Sequence, residues 1–225
     1  MIQNIECITT GNWKENCYVL SSSTGAAAII DPGADFERID SYLVRHQLKP
    51  LLIINTHAHY DHIGSVAPLK KKYGVPFLLH PSDEKLMTQA NFYRNVFGGK
   101  ENIEVPVIDR YFLTHESSHE SMFERVEYNE FHFQIIPAPG HTAGGVCLLI
   151  EGHLFTGDTL YRGKVGSTIL PGGNKAALLK TLQSLSKLDP QIKIYPGHGK
   201  ASTIEEELKN NQEWIEILQN TKVSS

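Results

Sequence analysis

The chain has 225 residues, of which 40% are hydrophobic and 20% are charged, a composition typical of a globular water-soluble protein. Its net charge is −4 and its one basic run is short, at 70–72, which argues against a nucleic-acid-binding surface. No apolar run approaches the roughly 20 residues that span a bilayer, and the amino terminus lacks the pattern of a signal peptide. We therefore expect a cytoplasmic protein with no membrane or nucleic-acid partner. The sequence makes no prediction of its oligomeric state.

Cysteine usage supports the same compartment. The three cysteines, Cys7, Cys17 and Cys147, are an odd number without the spacing of a metal site. They are predicted to be buried thiols in a reducing compartment.

The first half of the chain is predicted to begin with strands and then to alternate strands with helices. Strands are predicted at 2–9, 17–22, 26–30, 51–54 and 76–80, and helices at 35–47, 63–73 and 82–96. Gly74 is expected to end the second helix and Ser82 to cap the third. The segment 98–125 is the least regular. Its polar part, 114–124, is interpreted as a solvated insertion that could cover a site as a lid, with His115 and His119 as solvated residues.

The second half is predicted to contain hairpins and then helices. A hairpin is predicted at 126–136, strands at 146–150 and 154–155, a glycine-rich loop at 163–173, and helices at 174–188 and from the capping box Thr203–Glu206 onward. Trp214 is interpreted as a packing residue. No linker is visible, so we expect a single domain over 1–225, with two packed sheets and helices outside them.

Ligand-type residues cluster after the strand at 51–54. His57, His59, Asp61 and His62 place three imidazoles and a carboxylate within six positions. Such a set suits zinc, iron, manganese or nickel, and the absence of cysteine ligands argues against a structural zinc site. Three later strands are each followed by a glycine turn and one ligand-type residue, which are His141, Asp158 and His198. Loops converge beyond strand ends, so one metal centre is predicted from all seven residues.

The pattern His57-x-His59-x-Asp61-His62, followed by His141, Asp158 and His198, resembles the metallo-β-lactamase superfamily. The flanking segments Asp31-Pro32-Gly33, Pro139-Gly140-His141-Thr142, Thr156-Gly157-Asp158-Thr159 and Pro196-Gly197-His198-Gly199 match it as well. Within the superfamily the chain looks most like the short glyoxalase II-like (hydroxyacylglutathione hydrolase-like) hydrolases. The resemblance implies an α+β fold, a four-layer αββα sandwich with the metals at one edge of the sheet pair.

The resemblance also implies the division of the ligands. His57, His59 and His141 would hold one divalent metal ion, and Asp61, His62 and His198 a second, with Asp158 bridging both. Zinc is favoured, with iron or manganese as alternatives. The implied reaction is cleavage of a small-molecule thioester of the S-lactoylglutathione type by hydroxide formed at the dinuclear site.

Two residues are predicted to act in catalysis. Asp61 could orient the hydroxide or manage its proton. Tyr161, three residues past Asp158, could reach the substrate carbonyl oxygen, and a packing role is equally consistent with its position.

Other functions stay open at the level of sequence. A lactone or ester hydrolase of the same fold is one, and a persulfide dioxygenase with a single iron on His57, His141 and Asp158 is another. Ser167 and Ile169 stand where the persulfide dioxygenases and the short glyoxalase II-like hydrolases usually carry Arg and Asp, which predicts an altered pocket or loop anchoring. A non-enzymatic metal-binding protein is disfavoured because the ligand set is complete.

Overall fold

Two six-stranded sheets form the centre of the computed structural model, which describes residues 1–99, 101–112 and 124–222. The strands are β1 Ile2–Thr10, β2 Glu15–Ser22, β3 Ala26–Ile30, β4 Lys49–Ile54, β5 Phe77–Leu79, β6 Arg110–Tyr111, β7 Glu124–Tyr128, β8 Phe131–Pro137, β9 Val146–Ile150, β10 His153–Gly157, β11 Leu160–Tyr161, β12 Lys164–Val165, β13 Lys193–Pro196 and β14 Ser202–Thr203. The helices are α1 Phe36–Arg45, α2 Tyr60–Ile63, α3 Val66–Tyr73, α4 Glu84–Thr88, α5 Ala90–Val96, α6 Lys175–Leu185, α7 Ile204–Asn210 and α8 Gln212–Lys222, with a 3₁₀ turn at Pro81–Asp83.

The strand directions bring several carboxyl-terminal strand ends to one edge. The first sheet has the order β1-β2-β3-β4-β5-β6, in which β3, β4, β5 and β6 are parallel. The second has the order β14-β13-β10-β9-β8-β7. In it, β8 and β10 are both antiparallel to β9, and β13 is parallel to β10, so these three strands share one direction. The loops that follow β3, β4, β8, β10 and β13 can therefore meet.

Three separate apolar clusters show that the chain has four layers. Alternate residues of β3 and β4 point to opposite faces, so Ile30 packs toward the second sheet while Ile29 packs toward helices. The outer cluster on the first sheet includes Ile39 of α1, and that on the second sheet includes Leu182 of α6 and Trp214 of α8. The predicted αββα arrangement of an α+β fold is confirmed.

Most predicted strands are found with small shifts at their ends, and two predicted helices are broken. The helix predicted at 82–96 consists of the 3₁₀ turn, α4 and α5, with Gln89 (φ −93°, ψ 6°) between the two helices. Ser82 is not its cap, because its N–H donates to the ring of His80 at 3.2 Å. The helix predicted at 63–73 begins only at Val66, although Gly74 ends it in the left-handed conformation as expected.

The last predicted helix divides at Asn211 for a tertiary reason. The Asn211 side-chain amide donates to the carbonyl of Lys164 at 3.0 Å, and its Oδ1 accepts from the N–H of Trp214 at 3.2 Å. Asn211 therefore ties the β11–β12 hairpin to the start of α8 and interrupts the helix (ψ 95°). The indole of Trp214 is fully buried and donates to the carbonyl of Leu182, so its predicted packing role is confirmed.

Three remaining expectations have different outcomes. Cys17 and Cys147 are buried, but Cys7 is exposed because β1 is an edge strand, so its predicted burial is wrong. The predicted lid, including His115 and His119, lies outside the described residues apart from Glu124 at the start of β7. No helix in the described part of the chain has the length and apolarity needed to cross a bilayer.

Candidate metal centre

The predicted ligands of the motif lie on one short turn after β4. His57 and His59 precede α2, and Asp61 and His62 lie within its single turn. A turn of this kind spreads neighbouring side chains around its axis, so consecutive residues can face different neighbours. The carbonyl of Thr56 accepts the N–H of Val146 at 2.9 Å, which joins this turn to the second sheet.

Three histidines form the first group of ligand atoms. One nitrogen from each of His57, His59 and His141 lies within 4.8 Å of the other two. The closest pair is Nδ1 of His59 and Nε2 of His141, 2.8 Å apart. His141 comes from the loop after β8, so the first group joins the two sheets.

The second group contains Asp61, His62 and His198, whose ligand atoms also lie within 4.8 Å of one another. Nε2 of His198 is 3.5 Å from Oδ2 of Asp61. His198 follows β13, so this group again joins both sheets.

Asp158 lies between the two groups. Its Oδ1 is 3.4 Å from Nε2 of His62, and its Oδ2 is 3.4 Å from Nε2 of His141 and 3.6 Å from Nε2 of His198. A single carboxylate thus contacts both groups, the position that a bridging ligand would need. The structure brings all seven predicted ligands together, and their assignment to individual metal ions stays a prediction.

The outer nitrogens of four ligand histidines are held by the protein. His57 Nδ1 lies 3.0 Å from Thr56 Oγ1, His62 Nδ1 lies 3.1 Å from Asp31 Oδ2, His141 Nδ1 lies 2.7 Å from the Ser167 carbonyl, and His198 Nδ1 lies 3.0 Å from the Trp13 carbonyl. In the neutral imidazole that binds a metal, an outer N–H donated in this way leaves the lone pair of Nε2 directed toward the centre. The Thr56 hydroxyl itself donates to Asp31 at 2.6 Å, so Asp31 supports two of the four histidines.

Two buried carboxylates near the site were missed by the sequence reasoning. Asp83 accepts the N–H of Ala58 at 3.1 Å, the hydroxyl of Thr142 at 2.8 Å and the N–H of Gly144 at 2.6 Å. Ala58 lies between two ligand histidines, and Thr142 follows a third, so Asp83 fastens the segments of the first group together. Its sequence position at a helix start gave no signal of this role.

Glu15 is the second missed carboxylate. It is 1% exposed, its Oε2 accepts the hydroxyl of Thr10 at 2.7 Å, and its Oε1 lies 3.9 Å from Nδ1 of His62. Burial, the largest cause, raises the pKa of Glu15 well above its usual value. Glu15 therefore adds a second carboxyl group behind His62, beside that of Asp31.

The atoms at the centre fit bound metal ions. Nε2 of His57, Nε2 of His62 and Oδ1 of Asp158 are buried without a hydrogen-bond partner among the described residues. Buried polar atoms are normally paired, and imidazole with carboxylate is the donor set of zinc, iron and manganese. Gly197 leaves the space beside the Asp158 carboxylate open, because a Cβ at this position would lie 2.3 Å from Oδ1 of Asp158.

The pKa values of the ligand histidines shift in two directions. Burial lowers the pKa of His57 well below its usual value and that of His59 to about 4, so both are neutral imidazoles. Burial also acts against the charge of His198, but Asp158 and Asp61 outweigh it and raise its pKa to about 10. The pKa of Asp158 is well below its usual range, because His62 and His198 outweigh the effect of burial.

A small pocket opens over this centre. Its volume is about 240 Å³, and His59, Asp61, Asp158 and His198 form its floor. Its walls are Trp13, Tyr60, Tyr93, Phe97, Ser167, Ile169, Leu170 and Pro171. A small molecule in the pocket would thus contact the metal-binding residues directly.

Comparison with known proteins assigns the family. The model of the Metallo-beta-lactamase superfamily matches residues 10–198. The chain belongs to the metallo-beta-lactamase superfamily. The superfamily binds divalent metal ions, and this member has a His/Asp cluster that could hold them.

Similar members of the superfamily cover almost the whole chain. A protein of Haemophilus influenzae named hydroxyacylglutathione hydrolase GloC is 31% identical over 92% of this chain and 96% of its own length. Among solved structures, the BLEG-1 B3 metallo-beta-lactamase is 29% identical, with a TM-score of 0.86 over 94% of this chain and 99% of its own. TTHA1623, solved in a di-iron-bound form, is 32% identical, with a TM-score of 0.80 over 92% and 98% of the two chains.

Proposed function

We propose that this metallo-hydrolase superfamily member cleaves a thioester at a dinuclear metal site, in the manner of glyoxalase II. The observation that carries the proposal is the position of Asp158, whose carboxylate contacts both groups of ligand atoms and faces the open pocket. The relative named hydroxyacylglutathione hydrolase supports a thioester as the substrate class, with S-lactoylglutathione as its reference compound.

Two divalent ions bound there would lower the pKa of water to about 7 and so supply hydroxide at neutral pH. His57, His59 and His141 would hold one ion, and Asp61, His62 and His198 the other. Zinc is proposed because imidazole and carboxylate ligands suit it, and manganese is an alternative on the same ground. Iron is an alternative because the relative TTHA1623 was solved in a di-iron-bound form.

The protein groups that act on the substrate are proposed to be Asp61 and Tyr161. The Asp61 carboxylate lies on the pocket floor beside His198, where it can orient the attacking oxygen or accept its proton. Burial and the charge of Asp158 raise the pKa of Tyr161 well above its usual value, so the phenol remains a hydrogen-bond donor at neutral pH. The Tyr161 ring lies 6.3 Å from the ring of His198, centroid to centroid, and is therefore close to the predicted ligands.

The metal-loaded protein should hydrolyse thioesters with kcat/KM at least about tenfold above that for the oxygen ester or lactone of the same acyl group, because the thiolate is the better leaving group. The measurement is a panel of matched thioesters, esters and lactones, with activity removed by a chelator and restored by zinc. Hydrolysis of esters or lactones alone would replace this proposal with the ester hydrolase alternative. Oxygen uptake with glutathione persulfide and a single bound iron would replace it with the dioxygenase.

Tyr161→Phe should lower kcat by about tenfold to a hundredfold while leaving KM and the metal content at saturating zinc unchanged, the loss expected for one hydrogen-bond donor to a developing oxyanion. The measurement is a full rate curve at several zinc concentrations. A variant with normal kcat at saturating zinc, but weaker zinc binding, would show that the phenol serves only to position Asp158.

A further inference from the structure

The walls of the pocket over the metal centre are apolar on several independent chain segments. Trp13 comes from the turn before β2, Tyr60 from α2, Phe97 from the end of α5, and Ile169 from the loop after β12. The ring of Tyr60 stacks on that of Phe97, with centroids 6.4 Å apart and 21° between the planes.

These wall residues are exposed in a way that apolar side chains usually avoid. Ile169 is 90% exposed, Trp13 is 55% exposed and Phe97 is 42% exposed. Single exposed apolar residues are ordinary, but a group that surrounds one pocket marks a binding surface. The apolar walls adjoin the pocket floor, which is formed by the predicted metal ligands. An apolar group of the substrate that binds between the walls would therefore lie next to the bond that is cleaved.

Acidic charge lies in the groove beside the pocket. Among the described residues that line the pocket itself, the only charged groups other than histidines are the predicted ligands Asp61 and Asp158, whose charge bound metal ions would offset. An adjoining groove of about 640 Å³ shares Trp13, Tyr60, Asp61 and Phe97 with the pocket. Its described lining includes the carboxylates of Asp35, Asp61, Glu101 and Glu104 against the single guanidinium of Arg94.

We propose that the preferred substrate is a thioester with an apolar acyl group and a leaving thiol that carries no carboxylate. The acyl group lies between Trp13, Phe97 and Ile169, and the thiol part extends along the groove. The inference rests on the proposed thioester hydrolysis and narrows it. Glutathione, with two carboxylates, fits poorly because like charges brought together cost binding energy.

Binding can be measured apart from catalysis, because Trp13 reports on the pocket. The chain has two tryptophans, and Trp214 is fully buried and packs against α6 on the far side of the second sheet, so a ligand in the pocket changes the emission of Trp13 alone. Two non-hydrolysable thioethers with the same alkyl chain serve as probes, S-hexyl-N-acetylcysteamine and S-hexylglutathione. The zinc-loaded full-length protein should bind the first at least about tenfold more tightly.

Three variants identify the surface that the probe occupies. Phe97→Ala should weaken S-hexyl-N-acetylcysteamine binding about tenfold, since it removes an aromatic wall from the alkyl chain. Phe92→Ala is the matched control, because Phe92 is an exposed phenylalanine on the same helix that lines neither cavity, and it should bind as the parent does. Ile169→Lys adds a cation to the rim, and it should improve S-hexylglutathione binding at least about threefold.

The outcomes separate this inference from the proposed function. Equal or tighter binding of S-hexylglutathione, or a normal affinity in Phe97→Ala, would overturn the inference and leave thioester hydrolysis intact. Tight binding of S-hexyl-N-acetylcysteamine by a protein that hydrolyses no thioester would support an apolar ligand site and overturn the proposed reaction. In the kinetic panel, acyl thioesters of N-acetylcysteamine should exceed S-lactoylglutathione in kcat/KM, with about a threefold gain for each added methylene until the pocket is full.

Discussion

Asp158→Ala should abolish activity, with a fall in kcat/KM of at least about a thousandfold, or ~4 kcal/mol of transition-state stabilisation. Asp158 is the carboxylate that contacts both groups of ligand atoms, at 3.4 Å from His62 and His141 and 3.6 Å from His198. Without it, two dications would repel each other with no shared anion between them. The negative charge that raises the pKa of His198 would also be lost.

The direct readout is metal content after dialysis against a weak chelator. We expect the alanine variant to keep less than one zinc per chain and the parent protein to keep two. Asp158→Asn is the conservative companion, which keeps the side-chain shape and one oxygen but removes the charge, and it should retain more metal than the alanine variant. If Asp158→Ala keeps both metals and the full rate, Asp158 is not the bridging ligand.

Asp83→Asn should lower the affinity of the first metal group about tenfold to a hundredfold, the range found when a group that supports ligands is altered. The Asp83 carboxylate accepts from Ala58, Thr142 and Gly144, which flank the histidines of that group. An asparagine offers one oxygen and one N–H₂ group, so at least one of these donors would face another donor. A buried donor left without an acceptor also costs about 1–3 kcal/mol of stability.

Cobalt or zinc titration against a chromophoric competitor would measure the two affinities separately. The affinity of the group formed by Asp61, His62 and His198 should change little. Asp109→Asn is the matched control, because Asp109 also accepts a backbone N–H, that of Phe77 at 2.7 Å, but lies away from the metal ligands. Unchanged metal affinity in Asp83→Asn, with a stability loss like that of the control, would reduce Asp83 to a structural residue.

The sequence by itself predicted the seven ligand-type residues of the candidate metal centre and most of the sheets that carry them. His57, His59, Asp61 and His62 lie within one turn, so local chain geometry alone keeps them together. The strand β3 and residues 51–54 of β4 are apolar because both of their faces are largely buried, and such runs are visible in the sequence. The glycine turns before the later ligands mark strand ends, where sites gather.

Only the tertiary structure decided how the centre is supported and what its pocket selects. Asp83 contacts residues 25, 59 and 61 positions away, and no local pattern encodes a contact of that separation. Asn211 interrupts a strongly helical segment because its side chain binds a distant hairpin, a contact that outweighs local helix propensity. The pocket walls come from four distant segments, so the apolar surface that would select a substrate exists only once both sheets have packed.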